Sequence, residues 1–177
     1  MQYVALLRGI NVGGNNKVAM SELKKVCEDL GFAEVRTYIN SGNVMFSAPK
    51  KSPRVLADTI EKELHKAFGF PIRTVVRDAA SIQALAKALP GAWANDTEQR
   101  TDVLFLWDDY DSKKTLALIK QTPSVDTLQY MPGAIVWHVK RKDINKSGMR
   151  DFIGTEVYKH MTARNVNTVR KIATLLA

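Results

Sequence analysis

A chain of 177 residues, 45% hydrophobic and 25% charged, has the make-up of one folded domain or two small ones, which excludes disordered and fibrous classes. No apolar run approaches the roughly 20 residues of a membrane helix, and a single cysteine, Cys27, excludes an internal disulfide; a cytoplasmic protein with no membrane partner is expected. The net charge of +8 favours acidic partners and is uneven, with nine Lys/Arg against three Asp/Glu from His138 onward but four against seven between Asp96 and Asp126.

Gln2 to Arg8 is an almost unbroken apolar run. It lacks the basic segment and cleavage site of a signal peptide, and predicts a central strand covered on both faces. After GINVGGNNK comes a helix in which Met20, Leu23, Val26, Cys27 and Leu30 recur at helical spacing, with Gly31 at its C-cap. AEVRTYI alternates, and NSGN turns the chain into VMFSA, which is a hairpin. Ser52 and Pro53 open a second helix lined by Leu56, Ile60, Leu64 and Phe68 and stopped by Gly69. PIRTVVRD adds a fourth strand, so residues 1–78 read as a ferredoxin-like βαββαβ subdomain with spatial strand order 4-1-3-2.

Asp78 can cap a third helix carrying Ile82, Leu85 and Leu89, and PGAWANDTEQR follows, giving a helix and connector over 79–100. Residues 101–177 read as a second α+β subdomain. It comprises the strand DVLFLW, the helix SKKTLALIKQ capped from Asp109 to Ser112, and a hairpin of VDTLQYM and GAIVWHVKRKD turned at Pro132 and Gly133. Two helices close it, GMRDFIGTEVYKHM and NVNTVRKIATLLA, with no fourth strand in view. The expected fold class is α+β, with antiparallel sheets and helices.

Three polar segments carry the candidate chemistry. In the first, Gly13 and Gly14 permit positive φ and close backbone approach, while Arg8, Asn11 and Lys17 can donate to an anion. Neither a P-loop nor a dinucleotide fingerprint fits, because Asn15 and Asn16 follow Gly14 and the glycines stand at 9, 13 and 14. An ordinary turn whose asparagines cap the first helix explains the same residues. The second segment is Asn40, Ser41 and Asn43 around Gly42, which a tight turn also accounts for. In the third, Thr162, Asn165 or Asn167 could cap the last helix, with Thr168 in its first turn and Arg164 at its start. A helix N-terminus favours an anion by ~0.3 to 1 kcal/mol and an arginine adds a bidentate donor; the bland alternative is a capped helix with a solvated arginine. The three segments are expected side by side, with Arg164 mattering more than Lys17.

Catalytic and metal signatures are absent from the sequence. His65, His138 and His160 are scattered, no zinc spacing or G-x-S-x-G occurs, and Cys27 reads as an inert core thiol, so no metal and no cofactor is expected. An RNA recognition motif is not expected, because SGNVMFSA stands where its third strand would be and the first strand carries no base-stacking aromatic. Even so, Arg36, Tyr38, Arg73 and Arg77 could line one sheet face.

LLRGINVGGNNKVAM, VRTYINSGNVMFSA and MTARNVNTVRKIATLL together resemble the bacterial family named domain of unknown function 1697, over nearly the whole chain. That pattern often has tryptophan where this chain has Val166, which removes a stacking role there. The resemblance implies an α+β fold with ferredoxin-like parts and makes the segments near Arg8, Asn40 and Arg164 family motifs, without implying an activity. The functional expectation is a phosphate-bearing ligand, a nucleotide or nucleic acid, at a basic Gly/Asn-rich site. The alternatives are an enzyme acting on an anionic small molecule, with His160 moving protons, or a structural interaction module.

Overall fold

The first apolar run does not alternate because both of its faces are covered: Val4, Ala5 and Leu6 are all fully buried in β1, Gln2–Leu7. The computed structural model describes residues 1–177, in two compact units, Met1–Gln83 with Ile172–Ala177 and Ala84–Lys171. In the first unit, β1 is followed by α1 (Met20–Asp29), β2 (Ala33–Tyr38), β3 (Asn43–Ser47), α2 (Pro53–Phe68) and β4 (Thr74–Asp78). The sheet is antiparallel in the order β2-β3-β1-β4, the order expected for βαββαβ. Tyr3, Ala5, Leu7, Val44 and Phe46 on one face pack with Leu23 and Cys27 of α1 and Leu56, Ile60 and Leu64 of α2. Ser52 caps α2 by accepting from the Val55 amide at 3.2 Å, and Gly69 ends it in the left-handed conformation, φ 77°. α3, Ala79–Ala88, follows β4 directly, and the carboxylate of Asp78 accepts from the Ser81 amide at 2.7 Å. The asparagines before α1 do not cap it: its N-cap is Ala19, which makes no side-chain bond.

The second unit holds the sheet β6-β7-β5-β8, formed by β5 (Gln99–Leu106), β6 (Thr127–Met131), β7 (Ala134–Lys140) and β8 (Met161–Asn165). Here the structure corrects three sequence expectations. A fourth strand exists: β8 occupies MTARN, where the sequence predicts only the end of one helix and the cap of the next. SKKTLALIKQ forms no α-helix but a 3₁₀ segment over Lys113–Leu118, because Ile119 is already extended, φ −99° and ψ 115°. GMRDFIGTEVYKHM gives only α4, Met149–Phe152, and a 3₁₀ turn over Val157–His160. The last helix, α5, spans Val166–Leu175.

Asp126 ties these short pieces together. Its buried carboxylate accepts from Trp137 Nε1 at 2.9 Å, from the amides of Thr122 and Gly148 at 2.8 and 2.9 Å, and from the Ser147 hydroxyl. Burial pushes its pKa up, but these hydrogen bonds outweigh that and hold it below the ordinary aspartate value. Trp137, Leu104, Leu106, Met149 and Phe152 form the core around it.

Candidate functional site

The first two polar segments meet in the first unit, and their asparagines are spent on architecture. Asn15 donates its amide to Val12 O at 3.1 Å across Gly13 and Gly14, φ 58° and 79°, which makes a tight two-residue turn. Asn11 clamps the loop, its Nδ2 donating to Val18 O at 2.9 Å and to Asn40 O at 3.0 Å while its Oδ1 accepts from the Val18 amide at 2.9 Å. Asn16 Nδ2 donates to Gly9 O at 3.1 Å. In the hairpin, Asn43 is fully buried and bonds Tyr38 O and Ser41 Oγ through Nδ2, at 2.9 and 3.0 Å. The amide of Arg8 donates to Arg73 O at 2.8 Å. What stays accessible is a cleft of about 380 Å³ whose lining includes Asn11, Gly14, Lys17, Met20 and Asn40, with Lys17 exposed.

Arg36, Tyr38, Arg73 and Arg77 do not form an open basic face. Arg36 donates to Leu175 O at 2.8 Å, Arg77 Nη1 donates to Val76 O at 2.9 Å, and Arg73 lies 3.5 Å from Glu61.

The third segment lies in the second unit, and strand alternation divides it. β8 pairs with β5 so that Asn165 stands opposite Asp102 and Ala163 opposite Leu104, while Arg164 points to the other sheet face. Arg164 is only 6% exposed; its Nη1 donates to Thr162 Oγ1 at 3.0 Å and to Ala163 O at 2.8 Å, and burial pulls its pKa down to about 10. Asn165 is the N-cap expected of this stretch, accepting from the Thr168 amide at 2.9 Å, whereas Asn167 Nδ2 donates to Asn95 O at 2.8 Å.

Asn165 and Ala163 line a polar cleft of about 400 Å³ together with Asn95, Arg100, Asp102 and Arg141, four residues that sequence reasoning did not single out. Arg100 Nε donates to Asp102 Oδ2 at 2.7 Å. Arg141 Nε donates to Asp96 O, and its Nη2 donates to Asn95 Oδ1 at 3.2 Å. Burial raises the pKa of Asp102 above the ordinary carboxylate value, against the pull of Arg100 and Arg141. Positive charge from two separated sequence segments is thus collected beside a buried acid.

The remaining candidates have structural partners. Burial pushes the Cys27 thiol up to about 12. His160 stacks on Tyr110 with ring centroids 4.2 Å apart. His138 stacks on Trp93 at 4.7 Å and an interplanar angle of 5°, and its Nδ1 lies 2.9 Å from Thr101 Oγ1. No helix is long and apolar enough to cross a membrane.

Comparison with known proteins agrees with this architecture. The conserved bacterial protein SP0830 from Streptococcus pneumoniae, whose structure is solved, is similar at 28% sequence identity and a TM-score of 0.83, over 99% of this chain and 98% of that one. No curated protein matches the chain. A family model described as protein of unknown function (DUF1697) matches residues 1–137, which hold the first two motifs, and the chain belongs to that family.

Proposed function

We propose that the protein binds a phosphate-bearing ligand, a nucleotide or nucleic acid, in the second unit's cleft between Arg100, Arg141 and Asn165. The observation that carries this reading is how the two guanidinium groups are held. Each is tied down through Nε, to Asp102 and to Asp96 O, which leaves both Nη groups of Arg100 and Nη1 of Arg141 as donors beside a cleft of about 400 Å³. A planar fork fixed in this way loses little freedom when it takes two phosphate oxygens. The Asp102 carboxylate is engaged by Arg100, so an incoming anion meets the arginines first. Lys17 and the backbone of Gly14 offer a second phosphate position in the first unit's cleft.

Calorimetry against inorganic phosphate and nucleoside mono- and diphosphates tests this. Arg100→Ala and Arg141→Ala should each weaken binding by ~1.5 to 3 kcal/mol, the range for hydrogen bonds to charged groups, and Lys17→Ala by less. Binding to none of these ligands at low salt, or unchanged affinity in both arginine variants, would remove the proposal. A second reading, an enzyme acting on an anionic small molecule, is favoured by the position of the buried Asp102 in the cleft beside two arginines. Its test is turnover of a phosphate-ester panel that Asp102→Asn abolishes while binding persists.

A further inference from the structure

A second cleft, of about 520 Å³, opens at the same end of the same sheet and is lined by Thr97, Glu98, Gln99, His138, Lys140 and Lys142. Gln99 pairs with Lys140 and Arg100 with Val139, so the linings of the two clefts are alternate residues of one ladder. Arg141 lies between Lys140 and Lys142 in the chain, and it lines the first cleft while they line the second. Together the clefts present Arg100, Lys140, Arg141 and Lys142 against only Glu98 and Asp102, and Asp102 is already engaged by Arg100. Lys140 and Lys142 are exposed. Such a charge track, continued round a strand end, exceeds what a single phosphate needs.

The second cleft also carries a flat ring. His138 lies parallel to Trp93, and the loop that holds Trp93 is braced by Arg170, whose Nη2 donates to Pro90 O at 2.9 Å and Nη1 to Trp93 O at 2.7 Å. Burial, and then the nearby Lys140, hold the pKa of His138 below its usual value, which favours the neutral ring. Rigid aromatic surface beside a cationic track is the combination that takes an unpaired base together with its backbone. A duplex does not fit this chemistry, because the faces of its bases are occupied within the stack.

We infer that the ligand is a single-stranded nucleic acid whose backbone runs from the Arg100–Arg141 cleft past the strand end to Lys140 and Lys142, with a base against the His138–Trp93 pair. This rests on the phosphate reading of the first cleft. Fluorescence anisotropy with a labelled single strand of about ten nucleotides, with inorganic phosphate and a duplex as competitors, tests it. The double variant Lys140→Ala, Lys142→Ala should lose two phosphate contacts and so bind the strand at least about tenfold more weakly and with a flatter salt dependence, yet bind inorganic phosphate as before. Arg100→Ala should weaken both ligands. An abasic strand of equal length should bind roughly tenfold more weakly than the normal one. If the double lysine variant or the abasic strand binds like its parent, or the duplex competes as well as the single strand, this inference is overturned while the phosphate reading stands. If inorganic phosphate also fails to bind the parent protein, the phosphate reading itself falls.

Discussion

Gly42 sits at φ 74°, and a Cβ built there would lie 2.8 Å from Leu7 Cβ and 2.7 Å from Ile10 Cδ1. The isoleucine tip can move, but the leucine Cβ is fixed by its strand, so the hairpin turn requires glycine at this one position. Gly42→Ala should cost about 2 kcal/mol or more, from the sum of positive-φ strain and overpacking, measured as a shift in the urea midpoint at constant slope. An unchanged midpoint would show that the turn can relax. Cys27 makes a different expectation: with its thiol pushed up to about 12 by burial, it should resist alkylation in native buffer and react fully in denaturant. Fast native labelling would contradict its place in the core. Asp126 yields a pH dependence whose sign is set by its lowered pKa. Its contribution is present above the unfolded aspartate value of 3.8 and is lost as pH falls through the lower folded value. Asp126→Ala should destabilise by about 3 kcal/mol or more at neutral pH, because Trp137 Nε1 and the amides of Thr122 and Gly148 lose their acceptor. Part of that deficit should vanish in acid, and a deficit independent of pH would show that the carboxylate's charge is not what matters.

At the scale of elements, the parts whose side-chain period matched their environment were legible. α2 declared itself through Ser52, Pro53, a single apolar stripe and Gly69, and each of these does in the structure what its residue type does in general. β8 did not, for two reasons. It has five residues, and the alternating side chains on its buried face are Thr162 and Arg164, a polar and a charged residue, so the strand period carries no hydrophobic signal. The 3₁₀ segment over Lys113–Leu118 reads as an α-helix because Thr115, Leu116 and Ile119 recur three and four residues apart, whereas in the structure Leu118 is 56% exposed and Ile119 is already extended. The candidate site divides in the same way. Asn165 was visible as a cap, but Arg100 and Arg141 meet only through the pairing of β5 with β7, and nothing in either local sequence encodes that register. Asn11 was legible as polar and loop-forming but not in its role as a clamp. Asn11→Ala removes three hydrogen bonds to Val18 and Asn40 and should cost ~1 to 3 kcal/mol, with faster amide exchange confined to the opening loop. Exchange rising throughout the first unit would refute a local role.

For the whole molecule, the first unit is discontinuous in sequence, since Ile172–Ala177 belong to it along with Met1–Gln83. Arg36 Nη2 and Gln83 Nε2 hold the carbonyls of Leu175 and Leu176 at 2.8 and 3.0 Å, and Ile172 and Leu176 are buried. Ile172→Ala should therefore cost ~2 to 4 kcal/mol, as for other large-to-small changes in a core, and the loss would be read in thermal unfolding. A loss below ~1 kcal/mol would mean that the segment is dispensable.

That discontinuity bears on biosynthesis. A ribosome that has released residues 1–83 has not yet made the segment that completes their unit, and all of Ala84–Lys171 must be translated first. At about 5–20 residues per second, the nascent first unit waits roughly five to twenty seconds in an unfinished state. In that interval Arg36 and Gln83 lack the carbonyls they will later bind, so the N-terminal unit is complete only after its successor has been synthesised.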